Sequence, residues 1–574
     1  MNAMTTPNIL FILVDEMRYP MHFPRGVTTP DEFLQKFMPH TYRLLWQPGV
    51  RFHNAYTASS DCTPARGTIV TGLYAQQTFC MTTRANTNDP QSGFAVQPPL
   101  HPAFPTYGKI LRAAGYDTPY IGKWHLSNFP ESPDAPYLEE YGFEGVLVPD
   151  PVGLPGQGYG ATPATDDNPM PFGDPQVANR TVTWLQNRAK EDADKPFCLT
   201  VGFSNPHDKQ FFWGGIEVSQ FQALYGDATP FLDYTTNIVH QAYPPANDYP
   251  MPENWQPAGK QQVSLHKVFR EFFAAAVGDS AEDPEATEFT TRKNLNGTGD
   301  IVAVAPYAYW IKGLDMYTQA MNDVDEQIAQ VIENIPAALR DNTVVVFTSD
   351  HGEYAGSHGL QGKGFTAYEE TMRVPLTFTD FTGRYGSHNI DRYQFASSVD
   401  LLPLFANLAY GGDGWLDTEE LRSLYGGRND LLSAIQANEG VIRPYVAFTC
   451  DEVMTTTDNY LDAPGHVLAF TDGTGKLGLY SHWDPGKAIP LAQGQEVEYY
   501  DYRVSNGRLE MTNDPERGSA DASRMLNDIL PNEIQRPMPT TALLDAQKEA
   551  LELYWKYVDL ANPDPKAHRL AHML

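Results

Sequence analysis

Two short runs of mostly aliphatic and β-branched residues constrain the fold of this chain more than any other feature. They are Asn8–Val14 (NILFILV) and Thr343–Ser349 (TVVVFTS), and neither has the polar alternation of a half-exposed strand. Strands that are buried on both faces of a parallel sheet have this composition. Asp15 follows the first run directly and Asp350 follows the second. The sequence therefore predicts an α/β fold in which both strands end at acidic side chains.

Two weaker strand candidates also end at polar residues. Phe197–Ser204 leads to His207, and Thr118–Ile121 leads to Lys123 and His125. In open α/β sheets, ligands bind beyond the carboxyl ends of the strands. Four strands with such ends therefore predict one shared site.

The residue pattern divides the chain into two predicted domains. Residues 1–435 form the α/β domain, and a long amphipathic helix is expected over Tyr307–Ile335. Residues 210–300 contain proline-rich and acidic stretches and are predicted to be an insertion or lid. The strands after this domain are shorter and separated by turns. Residues 436–574 are therefore predicted to form a C-terminal subdomain of antiparallel strands, a helix and a tail.

The charge balance and the cysteine count exclude several classes of protein. The 574 residues include 71 acidic and 40 basic side chains, for a net charge of −31, and no run of Lys or Arg is present. Nucleic-acid binding is therefore not expected. Four cysteines in so long a chain do not form a disulfide framework. The N-terminal apolar run is too short for a signal sequence, and no stretch approaches the roughly 20 apolar residues of a membrane span, so a cytoplasmic protein with no membrane partner is expected.

The segment Cys62-Thr63-Pro64-Ala65-Arg66 carries the strongest chemical signal. Proline suits the first turn of a helix, so Cys62 is predicted to face free backbone N–H groups and the positive end of the helix dipole. Arg66 follows about one turn later and can point toward the same anion. The alternative interpretation is a buried cysteine beside a surface arginine.

This segment, with Thr71-Gly72 at the appropriate distance, resembles the signature of the formylglycine-dependent (type I) sulfatases of the alkaline phosphatase superfamily. In that family the cysteine is oxidised after translation to formylglycine, and the hydrated aldehyde is the nucleophile. The resemblance implies that Cys62 is the modified residue and that a formylglycine-generating enzyme is a transient partner. It also implies a large mixed, mostly parallel sheet flanked by helices. Ala65 stands where the family usually has Ser.

Further short motifs follow in the family's order. Lys123 and His125 belong to a GKWH sequence, which is similar to the family's sulfate-contacting element. Glu16 stands where the family commonly has a second Asp. By resemblance, the catalytic residues are Cys62, Arg66, Lys123, His125, His207 and Lys363, and the metal ligands are Asp15, Glu16, Cys62, Asp350 and His351.

The residue at position 351 bears on the identity of the metal. Many members of the family have Asn there, which gives an all-oxygen site suited to Ca²⁺. The nitrogen of His351 favours a borderline ion such as Mn²⁺ or Zn²⁺ instead. The expected cofactors are one divalent ion, Mn²⁺ or Ca²⁺ with Zn²⁺ as a further candidate, and formylglycine derived from Cys62. The Asp350-His351 pair resembles choline sulfatases and phosphonate monoester hydrolases, whereas GKWH is a trait of sulfatases.

The resemblance implies a sulfuric ester hydrolase of the arylsulfatase type, which cleaves sulfate monoesters to an alcohol or phenol and sulfate. In the expected mechanism Arg66, Lys123 and Lys363 neutralise the sulfate oxygens and His125 is the base. A phosphonate monoester or phosphodiester hydrolase and a choline sulfatase are alternatives with the same machinery. A catalytically silent binding protein and a hydrolase that uses the unmodified Cys62 thiol are alternatives of other kinds. A homo-oligomer is also expected, from the resemblance and the hydrophobic C-terminal tail.

Overall fold

The two apolar runs form neighbouring parallel strands at the centre of a sheet. Strand β1 is Asn8–Asp15, strand β9 is Thr343–Ser349, and Asn8 lies opposite Thr343. Alternate side chains of β1 enter two different hydrophobic cores, since Phe11 packs in one and Ile12 in the other. Both faces of the sheet are covered, so every residue of β1 and β9 is buried. This explains why neither run alternates with polar residues.

The computed structural model describes residues 6–84, 97–128, 138–146, 173–191, 195–211, 248–260, 263–277, 279–288, 290–293, 301–386, 388–436, 443–451 and 463–561. The strands, in chain order, are β1 (Asn8–Asp15), β2 (Val50–Tyr56), β3 (Pro119–Gly122), β4 (Glu144–Val146), β5 (Cys198–Pro206), β6 (Asp279–Ser280), β7 (Thr290–Lys293), β8 (Ile301–Ala305), β9 (Thr343–Ser349), β10 (Leu376–Asp380), β11 (Ile390–Ser397), β12 (Val446–Asp451), β13 (His466–Thr471), β14 (Gly475–Ser481) and β15 (Glu496–Asp501). The longer α-helices are α1 (Pro30–Phe37), α2 (Cys62–Thr71), α3 (Tyr107–Ala113), α4 (Asp174–Arg188), α5 (Ser264–Val277), α6 (Tyr309–Glu333), α7 (Leu401–Tyr410), α8 (Glu419–Tyr425), α9 (Leu431–Gln436), α10 (Ser519–Arg524) and α11 (Thr541–Ala561). Short helical segments are Pro39–Thr41, Tyr42–Trp46, Ala75–Thr78, Glu139–Tyr141, His207–Phe211, Ala337–Arg340, Ser357–Gly359, Glu369–Met372, Ser398–Asp400, Asp413–Trp415, Ser505–Arg508 and Met525–Ile534.

The central sheet has the strand order β11-β2-β10-β9-β1-β5-β3-β4. Within it, β10 runs antiparallel to β2 and β9, and the other neighbouring pairs are parallel. Helix α6 contributes Leu314 and Met321 to the core on one face, and α7 contributes Phe405 to the core on the other. The prediction of a mixed, mostly parallel sheet flanked by helices is therefore confirmed.

Two smaller sheets accompany the central one. Strands β12-β13-β14-β15 form a fully antiparallel sheet, which confirms the predicted antiparallel C-terminal sheet. The boundary at residue 435 stays a prediction. Strands β6-β8-β7 form a third sheet at the end of the predicted insertion, while residues 212–247 of that insertion lie outside the described residues. None of the helices described here has the length and hydropathy required to cross a bilayer.

Helix α2 is buried along its whole length and ends at a glycine that no other residue can replace without strain. Gly72 has a φ of 64° and donates its N–H to the carbonyl of Thr68. A Cβ at this position would lie 3.0 Å from the ring of Tyr425 and 3.3 Å from the carbonyl oxygen of Val399. The left-handed conformation and the close approach both favour glycine, and they fix the end of the helix that begins at Cys62.

A half-buried carboxylate, that of Glu533, connects the C-terminal segment Met525–Ile534 to the α/β domain. Glu533 accepts hydrogen bonds from the hydroxyls of Tyr74 (2.6 Å) and Tyr445 (2.6 Å) and from the guanidinium of Arg443 (2.8 Å). Burial raises the pKa of Glu533, but the charges of Arg443 and Arg428 and the two tyrosine hydroxyls outweigh it and lower the pKa to about 2, from an ordinary value of 4.5. The carboxylate is therefore held ionised in the folded protein.

We expect Glu533→Gln to lower the free energy of unfolding by roughly 3 kcal/mol at pH 7, because a pKa that folding lowers by two to three units is worth that much. The folded pKa lies below the unfolded one, so the stabilisation is present above about pH 4.5 and is lost as the pH falls toward 2. Chemical denaturation of both proteins between about pH 7 and about pH 3 measures this. A stability difference that stays constant below pH 4.5 would contradict the assignment.

Candidate active site

Four neighbouring strands of the central sheet bring polar residues to the edge at their carboxyl ends. In the order β9-β1-β5-β3, Asp350 follows β9, Asp15 ends β1, His207 follows β5 and Lys123 follows β3. Helix α2 begins at the same edge, and the Sγ of Cys62 lies 3.6 Å from Oδ1 of Asp15. The structure thus brings together residues from five separate parts of the chain.

The side chain of Cys62 is buried among cationic groups. Its Sγ lies 3.3 Å from Nε2 of His351 and 3.7 Å from Nζ of Lys123. Burial raises the pKa of the Cys62 thiol, but the positive charges of Lys123, Lys363 and His351 outweigh this and hold the pKa well below its usual range. The position therefore stabilises an anion.

Arg66 bridges the two acidic strand ends. Its Nη2 donates to Oδ2 of Asp15 (2.8 Å), its Nε donates to Oδ2 of Asp350 (2.9 Å), and its Nη1 donates to the carbonyl of Lys123 (2.5 Å). All of these groups are buried. A planar guanidinium that is held in this way fixes the orientation of both carboxylates. Arg66 therefore positions the two aspartates, in addition to carrying positive charge.

Four donor atoms form a compact group that is suited to a divalent metal ion. They belong to Asp15, Cys62, Asp350 and His351, are all buried, and lie within 4.8 Å of one another. Nδ1 of His351 lies 2.9 Å from the carbonyl oxygen of Gly352 and donates to it, so Nε2 is the ring nitrogen that faces the group, and it can bind an ion when it is deprotonated. The predicted ligands other than Glu16 are therefore placed together.

The side chain of Glu16 takes a different direction from the other predicted ligands. Its Oε2 lies 2.8 Å from Nζ of Lys363 and 3.5 Å from Nε2 of His207. It belongs to a second group of possible donors, with Asp15 and His207. Burial and a hydrogen bond to Glu353 raise the pKa of Glu16 well above its ordinary value, against the opposing charge of Lys363. Of these two neighbouring carboxyl groups, Glu16 is therefore the one whose ionisation burial disfavours.

Glu353 and Lys209 complete this part of the site, and the sequence motifs assigned no role to either. Glu353 accepts hydrogen bonds from the backbone N–H groups of Ala355 (2.9 Å) and Gly362 (2.8 Å) and from Nζ of Lys209 (3.2 Å). It thereby fixes the loop that carries Lys363. The signals in the sequence were weak: Glu353 comes three residues after Asp350, and Lys209 comes two residues after His207.

The remaining predicted residues surround Cys62. Lys363 is buried, and its pKa lies well above the ordinary value because Cys62 and Glu16 outweigh the effect of burial. Burial and the charge of Lys363 lower the pKa of His207 to about 3, so this imidazole is neutral and hydrogen-bonded to Cys62. The side chain of His125 is also hydrogen-bonded to Cys62. The backbone carbonyl of His125 accepts a hydrogen bond from the hydroxyl of Thr63 (3.1 Å). The structure thus places every predicted catalytic residue at one site.

Comparison with known proteins identifies the family. Residues 7–411 match the sequence profile of the family described as Sulfatase. The chain belongs to the sulfatase family. The matched region contains every residue of the candidate site.

Individual relatives of this sulfatase chain are distant. It is 28% identical over 378 residues to the uncharacterized sulfatase YidJ of Escherichia coli (strain K12), an alignment that covers 63% of this chain and 61% of that protein. It is 26% identical over 464 residues to the choline-sulfatase of Rhizobium meliloti (strain 1021), covering 77% of this chain and 75% of that protein. The alignment with YidJ thus leaves more than a third of that relative unmatched.

The fold of the sulfatase chain also resembles solved structures. The phosphonate monoester hydrolase of Silicibacter pomeroyi superimposes with a TM-score of 0.59 over 93% of this chain and 96% of that one, at 17% sequence identity. At this identity, the similarity concerns the fold. It supports the alkaline phosphatase-like architecture that was predicted from the sequence.

The donor set of the sulfatase chain fits the divalent ion that the family implies. Two carboxylates and one imidazole nitrogen are the ligands that Mn²⁺ and Zn²⁺ accept readily, and Ca²⁺ prefers oxygen alone. Arg66 and Lys123 occupy Oδ2 of Asp15, which leaves Oδ1 directed at the donor group. The residues that are present can therefore hold one ion beside position 62.

Proposed function

We propose that this protein hydrolyses sulfate monoesters, with formylglycine made from Cys62 as the nucleophile and one divalent metal ion beside it. The observation that carries the proposal is the convergence of Lys123, Lys363 and the metal-competent group on the side chain of Cys62. Such an arrangement suits a tetrahedral anion whose charge must be stabilised during transfer. The family membership supports the same reaction.

The protein's own residues have distinct tasks in this proposal. Lys123 and Lys363 stabilise the charge on the nonbridging sulfate oxygens, and fixed charges in a buried site do so without reorganisation. Arg66 holds Asp15 and Asp350 in the orientation that an ion requires. A bound divalent ion would polarise a sulfate oxygen and favour deprotonation of the nucleophilic hydroxyl. Formylglycine at position 62 would supply that hydroxyl as an aldehyde hydrate.

We assign the proton transfers of the reaction to His125, His207 and Lys363. His125 is the proposed base that removes a proton from residue 62, because its side chain is hydrogen-bonded to that residue. His207 is neutral and also bonds residue 62, so it can accept a proton there. Lys363 carries a proton and is the proposed donor toward the leaving oxygen. His207 was the other candidate for this role, but with a pKa of about 3 it is neutral and is not assigned it.

Two alternatives use the same machinery on other substrates. The similarity to the choline-sulfatase of Rhizobium meliloti supports the first alternative, hydrolysis of choline sulfate. The similarity in fold to the phosphonate monoester hydrolase of Silicibacter pomeroyi supports the second, hydrolysis of phosphonate monoesters or phosphodiesters. We favour a sulfate ester of the arylsulfatase type, and we favour sulfate over phosphonate because Lys123 and His125 lie in a GKWH sequence and both face Cys62. A transient encounter with a formylglycine-generating enzyme and a homo-oligomeric state are part of the proposal.

A substrate comparison tests the proposal. The protein is purified after co-expression with a formylglycine-generating enzyme, and kcat/KM is measured on an aryl sulfate, an aryl phosphonate monoester and choline sulfate. A Cys62→Ala preparation gives the background from contaminating hydrolases. We expect the highest kcat/KM on the aryl sulfate. A higher kcat/KM on the phosphonate monoester would overturn the sulfate assignment. A higher kcat/KM on choline sulfate would show that the enzyme is a choline sulfatase and not of the arylsulfatase type.

The net charge of −31 leads to a prediction about salt. The overall field repels an anionic substrate, and the attraction comes from Lys123 and Lys363, which are buried and therefore weakly screened. We expect KM for an aryl sulfate to change by less than about twofold between ionic strengths of about 0.05 and about 0.5 M. Steady-state kinetics in NaCl, with Na-gluconate as a control for chloride binding, measures this. A steep rise of KM with salt would show that exposed cations capture the substrate.

A further inference from the structure

We propose that Thr63 is a positioning residue for His125, and that its hydroxyl determines which ring nitrogen of His125 is presented to residue 62. The inference rests on the proposed hydrolysis of sulfate esters, in which His125 is the base. Thr63 is buried and is the second residue of α2, directly after Cys62. It acts through His125 and does not itself contact the substrate.

The hydroxyl of Thr63 joins two other segments of the chain. It donates to the backbone carbonyl of His125 (3.1 Å) and accepts from the backbone N–H of Arg84 (2.9 Å). The backbone carbonyl of Arg84 in turn accepts from Nε2 of His125. Thr63, Arg84 and His125 are therefore connected by a closed cycle of three hydrogen bonds, and all three residues are buried.

The contact with Arg84 orients the imidazole of His125. A carbonyl oxygen only accepts hydrogen bonds, so Nε2 carries the hydrogen in this contact. In the neutral imidazole the lone pair is then on Nδ1, which is the nitrogen that can take a proton from residue 62. The Thr63 hydroxyl holds the backbone of Arg84 through its N–H, and it thereby holds the carbonyl that selects this arrangement.

The backbone of His125 also depends on Thr63. Its φ is 61°, in the left-handed region that residues with a side chain adopt mainly where their surroundings hold them. The hydrogen bond from Thr63 to the carbonyl of His125 is such a contact. We expect that without this bond the backbone relaxes and the imidazole turns away from residue 62.

Thr63 shares this task with Arg66, which lies three residues later on the same side of α2. Arg66 donates to the backbone carbonyl of Lys123 (2.5 Å), and Thr63 donates to that of His125. The first turns of α2 thus hold both ends of the segment Lys123–His125, and the same helix begins at Cys62. One rigid element therefore fixes the base relative to the nucleophile precursor.

Replacement of the hydroxyl tests the inference. The variants are co-expressed with a formylglycine-generating enzyme, and kcat on an aryl sulfate is expressed per formylglycine, whose fraction is measured from the mass of the peptide that carries residue 62. Thr63→Val keeps the shape of the side chain without its hydroxyl. We expect kcat to fall by about 10- to 100-fold and KM to rise by no more than about threefold, because a misplaced base slows the chemical step and leaves the sulfate-binding lysines in place. Thr63→Ser retains the hydroxyl and is expected to keep kcat within about threefold.

Thr471→Val is the matched control. The hydroxyl of Thr471 is also buried, and it also joins a backbone carbonyl, that of Gly475 (2.8 Å), to a backbone N–H, that of Gly473 (3.1 Å). It lies in β13 of the C-terminal sheet, so we expect a loss of stability in thermal unfolding and an unchanged kcat. A normal kcat for Thr63→Val, or a loss of kcat in Thr63→Ser as large as in Thr63→Val, would overturn the inference.

A crystal structure of Thr63→Val tests the geometry without reference to activity. We expect the contact between Nε2 of His125 and the carbonyl of Arg84 to be lost. If Thr63→Val does not fold, Thr63→Ala takes its place in both measurements. An imidazole that keeps its position and this contact would refute positioning by Thr63. Absence of turnover by the unsubstituted protein would instead refute the proposed function, and the crystal structure would still decide whether Thr63 positions His125.

Discussion

Replacement of Cys62 by alanine is expected to lower kcat/KM on an aryl sulfate by about 10⁴-fold or more, because the variant has no precursor for the nucleophile. The side chain is buried, but its removal leaves the ion pairs of Arg66 with Asp15 and Asp350 in place. We therefore expect the protein to fold and to remain monodisperse. Steady-state kinetics, with thermal unfolding in parallel, measures both effects.

A buried cysteine elsewhere provides the matched control. Cys198 lies near the start of β5, at the opposite end of that strand from His207, and it is also buried and unpaired with another cysteine. Cys198→Ala is expected to keep kcat/KM within about threefold while it costs about 1 kcal/mol of stability, as a small cavity in a core does. Near-normal activity of Cys62→Ala would refute the role of this residue as nucleophile precursor.

Replacement of Asp350 by asparagine has the second largest expected effect. Asp350 binds Arg66 through Oδ2, and its Oδ1 lies in the group of possible metal donors. Loss of its charge removes an anionic ligand and leaves the buried guanidinium with Asp15 as its remaining carboxylate partner. We expect the metal content to fall well below one ion per chain and kcat/KM to fall by about 10³-fold or more. Elemental analysis after gel filtration and kinetics with added Mn²⁺ measure these changes.

Asp451 provides the control for loss of a buried aspartate. It ends β12 in the C-terminal sheet and binds Nδ1 of His466. Asp451→Asn is expected to lower stability without a change in the metal content or in kcat/KM. If Asp350→Asn retained a full complement of metal and normal activity, the assignment of Asp350 as a ligand would be wrong.

The central strands and the long helix could be predicted from the sequence because local composition determines them. Strand β1 contributes alternate side chains to two apolar cores, so its run without polar residues indicates a strand that is buried on both faces of the sheet. Helix α6 spans Tyr309–Glu333, close to the predicted Tyr307–Ile335, because its apolar residues recur with helical spacing. The strand order could not be predicted in this way, since it depends on pairings between distant segments.

The sequence predicted which residues form the site, but it did not predict how these residues contact one another. Short motifs at strand ends indicated which residues would meet. They did not indicate that Glu16, with a φ of 70°, would turn toward Lys363 and away from the metal-competent group. The pair of Lys209 and Glu353 joins two loops that lie 144 residues apart. Such contacts follow from the packing of the sheet, and no local pattern in the sequence encodes them.

The mass of the peptide that carries Cys62 is the most direct test of the proposed chemistry. The protein is co-expressed with a formylglycine-generating enzyme, purified with activity toward an aryl sulfate, digested and analysed by mass spectrometry. We expect that the side chain has lost its sulfur and two hydrogens and gained one oxygen, and that the converted fraction rises in proportion to the specific activity. Full activity in a preparation whose Cys62 peptide retains an unmodified thiol would contradict it.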